Sequence, residues 1–285
     1  TVKSSNPTLD KFKGGLVTDP NQIRDLLGAP ATITPEQGTV AKTIGGVDRD
    51  FKMPQVWKTS VAVDYQVPVS FPLTLTAEFI YTKKINDVML DNYNIKNNTS
   101  EWEHLNGADN RLIYPKDFTY YSNINDACVL TNTHKGHGYT FNITATAEPI
   151  KNLNVMAAYT HTVMKEVSGM PGSNASSAWS GLYTVNGPNF PTLQNSAYVI
   201  PDRLIASVSY KYAKEHFSLF YTGYSPAGYS FFYNGDVNGD GIKNDLMYIP
   251  KDDSEIQFAS DADRQAFWQF VEQDKYLKNH KGEYA

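Results

Sequence analysis

Residues 138–148 read Gly-Tyr-Thr-Phe-Asn-Ile-Thr-Ala-Thr-Ala-Glu, apolar and polar by turns. Tyr139, Phe141, Ile143, Ala145 and Ala147 fall on one face and Thr140, Asn142, Thr144, Thr146 and Glu148 on the other, the period-two signature of a strand. Residues 73–82 repeat the pattern, with Leu73, Leu75, Ala77, Phe79 and Tyr81 set against Thr74, Thr76, Glu78 and Thr82. Runs at 57–67, 153–163, 203–212 and 216–224 alternate less strictly. The pattern predicts six strands.

Their connections differ in length in a regular way. Residues 68–72, 149–152 and 213–215 are of hairpin length. Residues 91–137, 168–201 and those past 233 are far longer than the roughly 15 residues at which loops of compact domains become uncommon. In an up-and-down meander alternate connections share one end, so short turns lie at one end and long loops at the other. That is the layout of a bacterial outer-membrane barrel, with periplasmic turns and extracellular loops. Runs of about 10 residues cross a bilayer when tilted. Tyr65, Tyr81, Tyr139, Tyr159, Tyr210 and Tyr212 fall near the ends of the apolar band, where ring and hydroxyl suit a membrane–water girdle.

A soluble antiparallel sheet shows the same alternation; the one-sided loop lengths favour the barrel. The expected fold class is therefore all-β, an antiparallel up-and-down transmembrane β-barrel segment of about six strands. Residues 1–55 are expected to form an extracellular loop, 56–232 the strands, and 233–285 an extracellular loop with a helix. The two readings part at Phe79, Phe141, Val155 and Leu219: packed on a second layer they indicate a sandwich, turned outward a barrel.

The 285 residues are 41% apolar, enough for a core, and 13% aromatic. Only 19% are charged, below the roughly 25% usual for soluble domains. No run approaches the roughly 18 apolar residues of a transmembrane helix. The net charge of −5 opposes a nucleic-acid partner, for which a basic surface is the expected footprint. A single cysteine, Cys128, excludes an internal disulfide. Thr1–Ser4 carry no apolar leader, so the chain reads as cytosolic or as a mature or excised piece of an exported protein.

Two loop helices are predicted. Asp19, Pro20 and Gly28 supply cap, first turn and stop for residues 21–27. Ser260–Asp263 resembles a capping box, followed by Phe267, Phe270, Val271, Asp274 and Leu277 at helical spacing. That aromatic stripe either docks on its own loop or takes a partner.

The most site-like chemistry is at 236–245. Asp236, Asn238 and Asp240 alternate, Gly241 occupies the sixth position and the Ile242 carbonyl the seventh, as at the start of a Ca²⁺ loop. Asn244 and Asp245 extend the oxygen donors, but Met247 stands where a bidentate Glu belongs. Asn-Gly and Asp-Gly form tight turns without any metal, which is the competing reading. His134 and His137 have no third partner, as zinc would need. Asp64, Glu78 and Glu148 are ordinary acids of a polar face, and no nucleophile elbow, phosphate loop or dinucleotide fingerprint occurs. Enzymatic activity is not expected, and no cofactor is required.

Six segments carry a family likeness: Phe51–Ser60, Asn86–Asp91, Gly169–Asn174, Val199–Arg203, Asp236–Pro250 and Arg264–Trp268. From about residue 40 onward the chain resembles the C-terminal barrel region of TonB-dependent outer-membrane receptors of the Bacteroides group, the type with a carboxypeptidase-regulatory-like N-terminal domain. The resemblance implies a 22-stranded barrel, a plug within it, and energy delivered by TonB. The plug and the TonB-contacting segment are not in this sequence, so the chain reads as an excised piece whose partners are the rest of the receptor, outer-membrane lipid and a surface lipoprotein.

The expected function is barrel wall and recognition loops for uptake of a bulky solute (an oligosaccharide, peptide or metal complex) at the bacterial outer membrane. Trp179, Tyr224, Tyr229, Phe231, Phe232 and Tyr233 are the expected ligand contacts, since aromatic rings stack on apolar ligand faces. The alternative is a soluble surface-exposed binding or adhesion module with a calcium-stiffened loop.

Overall fold

The alternating runs emerge as long paired strands in a computed structural model of the chain, which describes residues 18–29 and 42–285. The chain divides into two units, 1–41 and 42–285. In the first, α1 spans Pro20–Leu27, with Asp19 accepting the Asn21 N–H as N-cap and Gly28 closing the end at φ 69°. The rest of the expected loop at 1–41 lies outside the described residues.

The second unit is built on one mixed sheet of nine strands. These are β1 (Thr43–Val47), β2 (Gln55–Gln66), β3 (Leu73–Asn92), β4 (Asp126–Thr133), β5 (His137–Ile150), β6 (Leu153–Glu166), β7 (Gln194–Asn195), β8 (Asp202–Tyr212) and β9 (Glu215–Tyr224). Six of them, β2, β3, β5, β6, β8 and β9, form a continuous antiparallel meander in chain order. These are the six expected strands.

Register carries the alternation across the whole meander. Val61 faces Phe79, Phe79 faces Phe141, and Phe141 faces His161. Two rungs further on, Tyr65, Leu75, Ala145, Ala157, Ala206 and Tyr221 line up in one row. Because side chains alternate, one face of all six strands is apolar and the other carries Thr, Ser, Asn and Glu. A hollow of about 320 Å³ lies beside the short turns, lined by Thr74, Thr146, Ser207 and Ser209 of the polar face.

The apolar face is bare. Phe79 is 42% exposed, Leu219 is 73% exposed, and Phe141 is likewise exposed, with Val155 half-buried. Among the described residues no helix packs on β5, β6, β8 or β9. The second layer of a sandwich is therefore not found on this face.

Two expectations need correction. The second strand does not stop at residue 82 but runs to Asn92, and its far half pairs with β4 inside the stretch expected as loop. β1, within the expected 1–55 loop, joins β4 in parallel, so the sheet is mixed rather than purely antiparallel. β4 and the far half of β3 are largely covered, so sequences such as Asp-Ala-Cys-Val-Leu-Thr-Asn-Thr need no alternation, whereas β1 is exposed along its length.

Above the meander the long connections fold into a cap. One core gathers Leu90, Trp102, Leu112, Tyr114, Cys128 and Trp179. Helix α2 (Ala175–Ser180) enters this layer, opened by an Asn174–Ser177 capping box. A second core gathers Met247, Ile249, Val271, Leu277 and Ala285. It is roofed by α3 (Asp261–Gln273), capped by Ser260 as expected, and α4 (Lys275–Asn279), which begins at Asp274.

Candidate functional site

The loop at 236–245 is held by its own polar groups. Asp236 accepts the Gly239 N–H at 2.6 Å and the Gly241 N–H at 2.9 Å. Asn238 accepts the Asp240 N–H, Asp240 accepts the Ile242 N–H at 2.7 Å, and Asp245 accepts the Val237 N–H at 2.8 Å. Asn244 donates its amide to the carbonyls of Ser180 and Leu182, tying the loop to α2. Among the described residues no three His, Cys, Asp or Glu side chains gather as a metal-ligand set. The predicted donors Asp236, Asn238, Asp240, Ile242, Asn244 and Asp245 thus share one loop, with their carboxylates turned onto its backbone.

Burial makes this loop electrostatically tense. Asn238, Asp240, Asn244 and Asp245 are all buried. Desolvation, with the charges of Asp245 and Asp236 adding to it, pushes the Asp240 carboxyl up to about 7 against the pull of the Ile242 N–H. The Tyr114 hydroxyl is raised by burial and by the same three carboxylates. A cation answers them from another loop: Arg111, at 0% exposure, chelates Asp109 with Nε and Nη2 and lies under the rings of Tyr233 and Tyr284.

The predicted aromatic contacts separate into two groups. Trp179, expected at a ligand, is 6% exposed in the first cap core, and its Nε1–H goes to Asn189 Oδ1 at 2.8 Å. Phe231 and Tyr233 pack against the second core. Trp179 belongs to the interior of the cap because its ring fills the first core, which corrects the expectation for it, while Phe231 and Tyr233 remain half-buried. Tyr224, at 64% exposure, and Tyr229, at 74%, are open to solvent. Phe232 is exposed too and stacks on Tyr183 with centroids 4.8 Å apart. No family model, curated protein or solved structure matches this chain.

Two features were not read from the sequence. Tyr183 joins the exposed aromatic group from a loop 49 positions before Phe232, a pairing that sequence periodicity does not carry. The doublet Lys83-Lys84 splits across the sheet, and Lys84 turns to the polar face to meet Asp87 at 2.6 Å and Glu166 at 2.7 Å. The signal for the second was present: Lys84 follows Thr82, and Glu166 follows Met164, in the polar phase of their strands. His134 is exposed and His137 half-buried, with no third ligand gathered beside them.

Proposed function

We propose that this chain forms part of the wall and the outer loops of a TonB-dependent outer-membrane transporter that takes up a bulky solute. The observation that carries this reading is the exposed apolar face, continuous in register across six antiparallel strands, on five of which (β2, β5, β6, β8 and β9) no helix packs among the described residues. An aqueous face of that kind is far larger than the few hundred Å² that monomeric soluble proteins leave exposed. Facing acyl chains, it needs no cover. Short turns at one end and a folded cap at the other suit periplasmic and extracellular sides respectively.

On this reading β2 and β9, exposed along their whole length apart from Gly223, are where further barrel strands pair. The polar face borders a lumen shared with a plug that contacts TonB, and a surface lipoprotein is accommodated over the cap. Tyr183, Tyr224, Tyr229 and Phe232 form the exposed rings for solute capture. The transport role requires no cofactor. Ca²⁺ at the Asp236 loop is a separable proposal. A rise in unfolding temperature on adding Ca²⁺, lost in Asp236→Asn, supports it, and no rise means that the loop closes on its own amides alone.

The test is depth-resolved quenching. The full-length protein carrying this chain is placed in vesicles of brominated phospholipid, and the fluorescence added by Phe141→Trp is compared with that added by Thr144→Trp. Quenching of the first and not of the second is expected. A protein that stays in the aqueous phase, or two probes equally unquenched, returns the chain to the class of soluble binding modules.

A further inference from the structure

The His134-Lys135-Gly136-His137 turn and the outward half of the Lys83-Lys84 doublet come together on the sheet. In β3 and β5, Lys83 pairs with His137, and in β5 and β6, His137 pairs with Lys165. These three residues therefore stand side by side in one row. Trp57, 59% exposed, extends the row on β2, where it pairs with Lys83. They lie on the apolar face, because Lys83 is two residues beyond Tyr81 and His137 two before Tyr139.

The order of tiers on that face is specific. Phe79 and Phe141 lie in the band, Tyr81 and Tyr139 above them, and Lys83, His137 and Lys165 above those. Two residues of strand advance about 7 Å. Apolar side chains, an aromatic girdle and basic side chains thus succeed one another in the order in which a bilayer presents acyl chains, interface and phosphates.

The basic row lacks acidic partners. Among the described residues neither Lys83 nor Lys165 makes an ion pair, and the one hydrogen bond of the Lys83 ammonium goes to the His134 carbonyl at 3.4 Å. Of the acids that the strands place on this face, Asp202 is taken by the Tyr159 hydroxyl at 2.5 Å and His161 at 2.9 Å, and Glu215 lies at the opposite, turn end. Like charges placed side by side across strands cost stability unless something neutralises them. Lys84, one residue away, has two carboxylates; Lys83 has none.

The geometry points to a phosphate-binding row for membrane lipid: Lys83, His137 and Lys165, backed by Trp57, hold the phosphorylated headgroup of a glycolipid in the outer leaflet. This rests on the membrane reading above. The aliphatic stems lie along the tyrosine girdle while the ammonium groups reach the phosphate layer. The row faces lipid, on the side of the sheet away from the solute path, so it is a site for the membrane itself.

Native mass spectrometry of the full-length protein in non-ionic detergent tests it, with diphosphorylated lipid A, its dephosphorylated counterpart of equal acyl composition, and inorganic phosphate as probes. Retention of the diphosphorylated lipid is expected to exceed that of the dephosphorylated one by roughly 30-fold, as two lysines near a phosphate layer provide at about 1 kcal/mol each. The Lys83→Gln/Lys165→Gln variant is expected to retain both equally, while still folding and still giving the Phe141→Trp quenching signal. Binding of inorganic phosphate alone would make this an ion site and overturn the lipid assignment. Equal retention by the unaltered protein, with quenching intact, overturns this inference and leaves the barrel reading standing; loss of quenching overturns the barrel reading itself.

Discussion

Arg111 and Asp245 meet at 3.5 Å with both side chains almost wholly withdrawn from solvent. The arginine comes from the loop after β3 and the aspartate from the loop after β9, so the contact joins two segments 134 positions apart. Arg111 also donates to the Leu246 carbonyl at 2.8 Å, and Tyr284 returns from the C-terminal segment to bond Asp109 at 2.9 Å. One cation thus fastens three stretches of the cap.

Replacing Arg111 by Met strands Asp245 and Asp109 without their counter-charge. A loss of about 3–5 kcal/mol is expected, the cost of breaking a buried pair from one side. Arg111→Lys rescues little, because a point charge cannot chelate Asp109 and reach Leu246 at once. Denaturant unfolding followed by near-ultraviolet dichroism of the cap aromatics measures both.

Asp240 gives the cap a pH dependence. Its carboxyl titrates near 7 when folded and near 4 when unfolded, so between those values the folded chain holds the proton more tightly. Stability is therefore greatest below about pH 4 as far as this group is concerned, and declines as pH rises through about 7. Thermal unfolding at pH 5 and pH 8 should show the lower midpoint at pH 8, and Asp240→Asn should narrow the gap. An unchanged gap in that variant assigns the dependence to another group.

Asn189 acts as a short piece of strand. Its side chain accepts the Asn92 N–H at 2.8 Å, donates to the Asn92 carbonyl at 2.9 Å and also accepts the Trp179 indole N–H. Asn189→Ala orphans three groups at the buried end of β3, and a loss of about 2–4 kcal/mol follows. Hydrogen exchange should report it first at the amides of residues 90–92.

Charge placed on the two faces should behave unequally. Phe141→Arg puts a guanidinium in the middle of the apolar band and is expected to cost about 2–4 kcal/mol in lipid vesicles. Thr144→Arg, on the polar face, should cost far less. Urea unfolding of the vesicle-bound protein separates them, and equal costs would count against a lipid-facing band.

The meander was legible because each of its strands has one apolar and one polar face. Tyr139 to Ala147 alternate with Thr140 to Glu148 for that reason, and the structure follows the alternation almost residue for residue. The far half of β3 and all of β4 were not legible, since residues such as Val88, Leu90 and Cys128 sit in a layer covered from both sides and carry no period. The cap was least legible of all. Its cohesion comes from Asn92, Asn94, Asn189 and Asn244 bonding to distant backbone, and in sequence such residues signal only turns. Trp179 misled for the same reason: an indole in a Ser- and Gly-rich stretch looks available until Asn189, from a different bend, closes on it.

β3 is a single rod of 20 residues, about 66 Å at the usual rise, and only its first half belongs to the meander. Its second half is a spine of the cap, with no break of strand between the two. One strand therefore joins cap and wall, with a single register irregularity where it leaves β2, between the partners of Val56 and Gln55. On the transporter reading, a solute would pass beside this mast, near the exposed rings of Tyr224 and Tyr229.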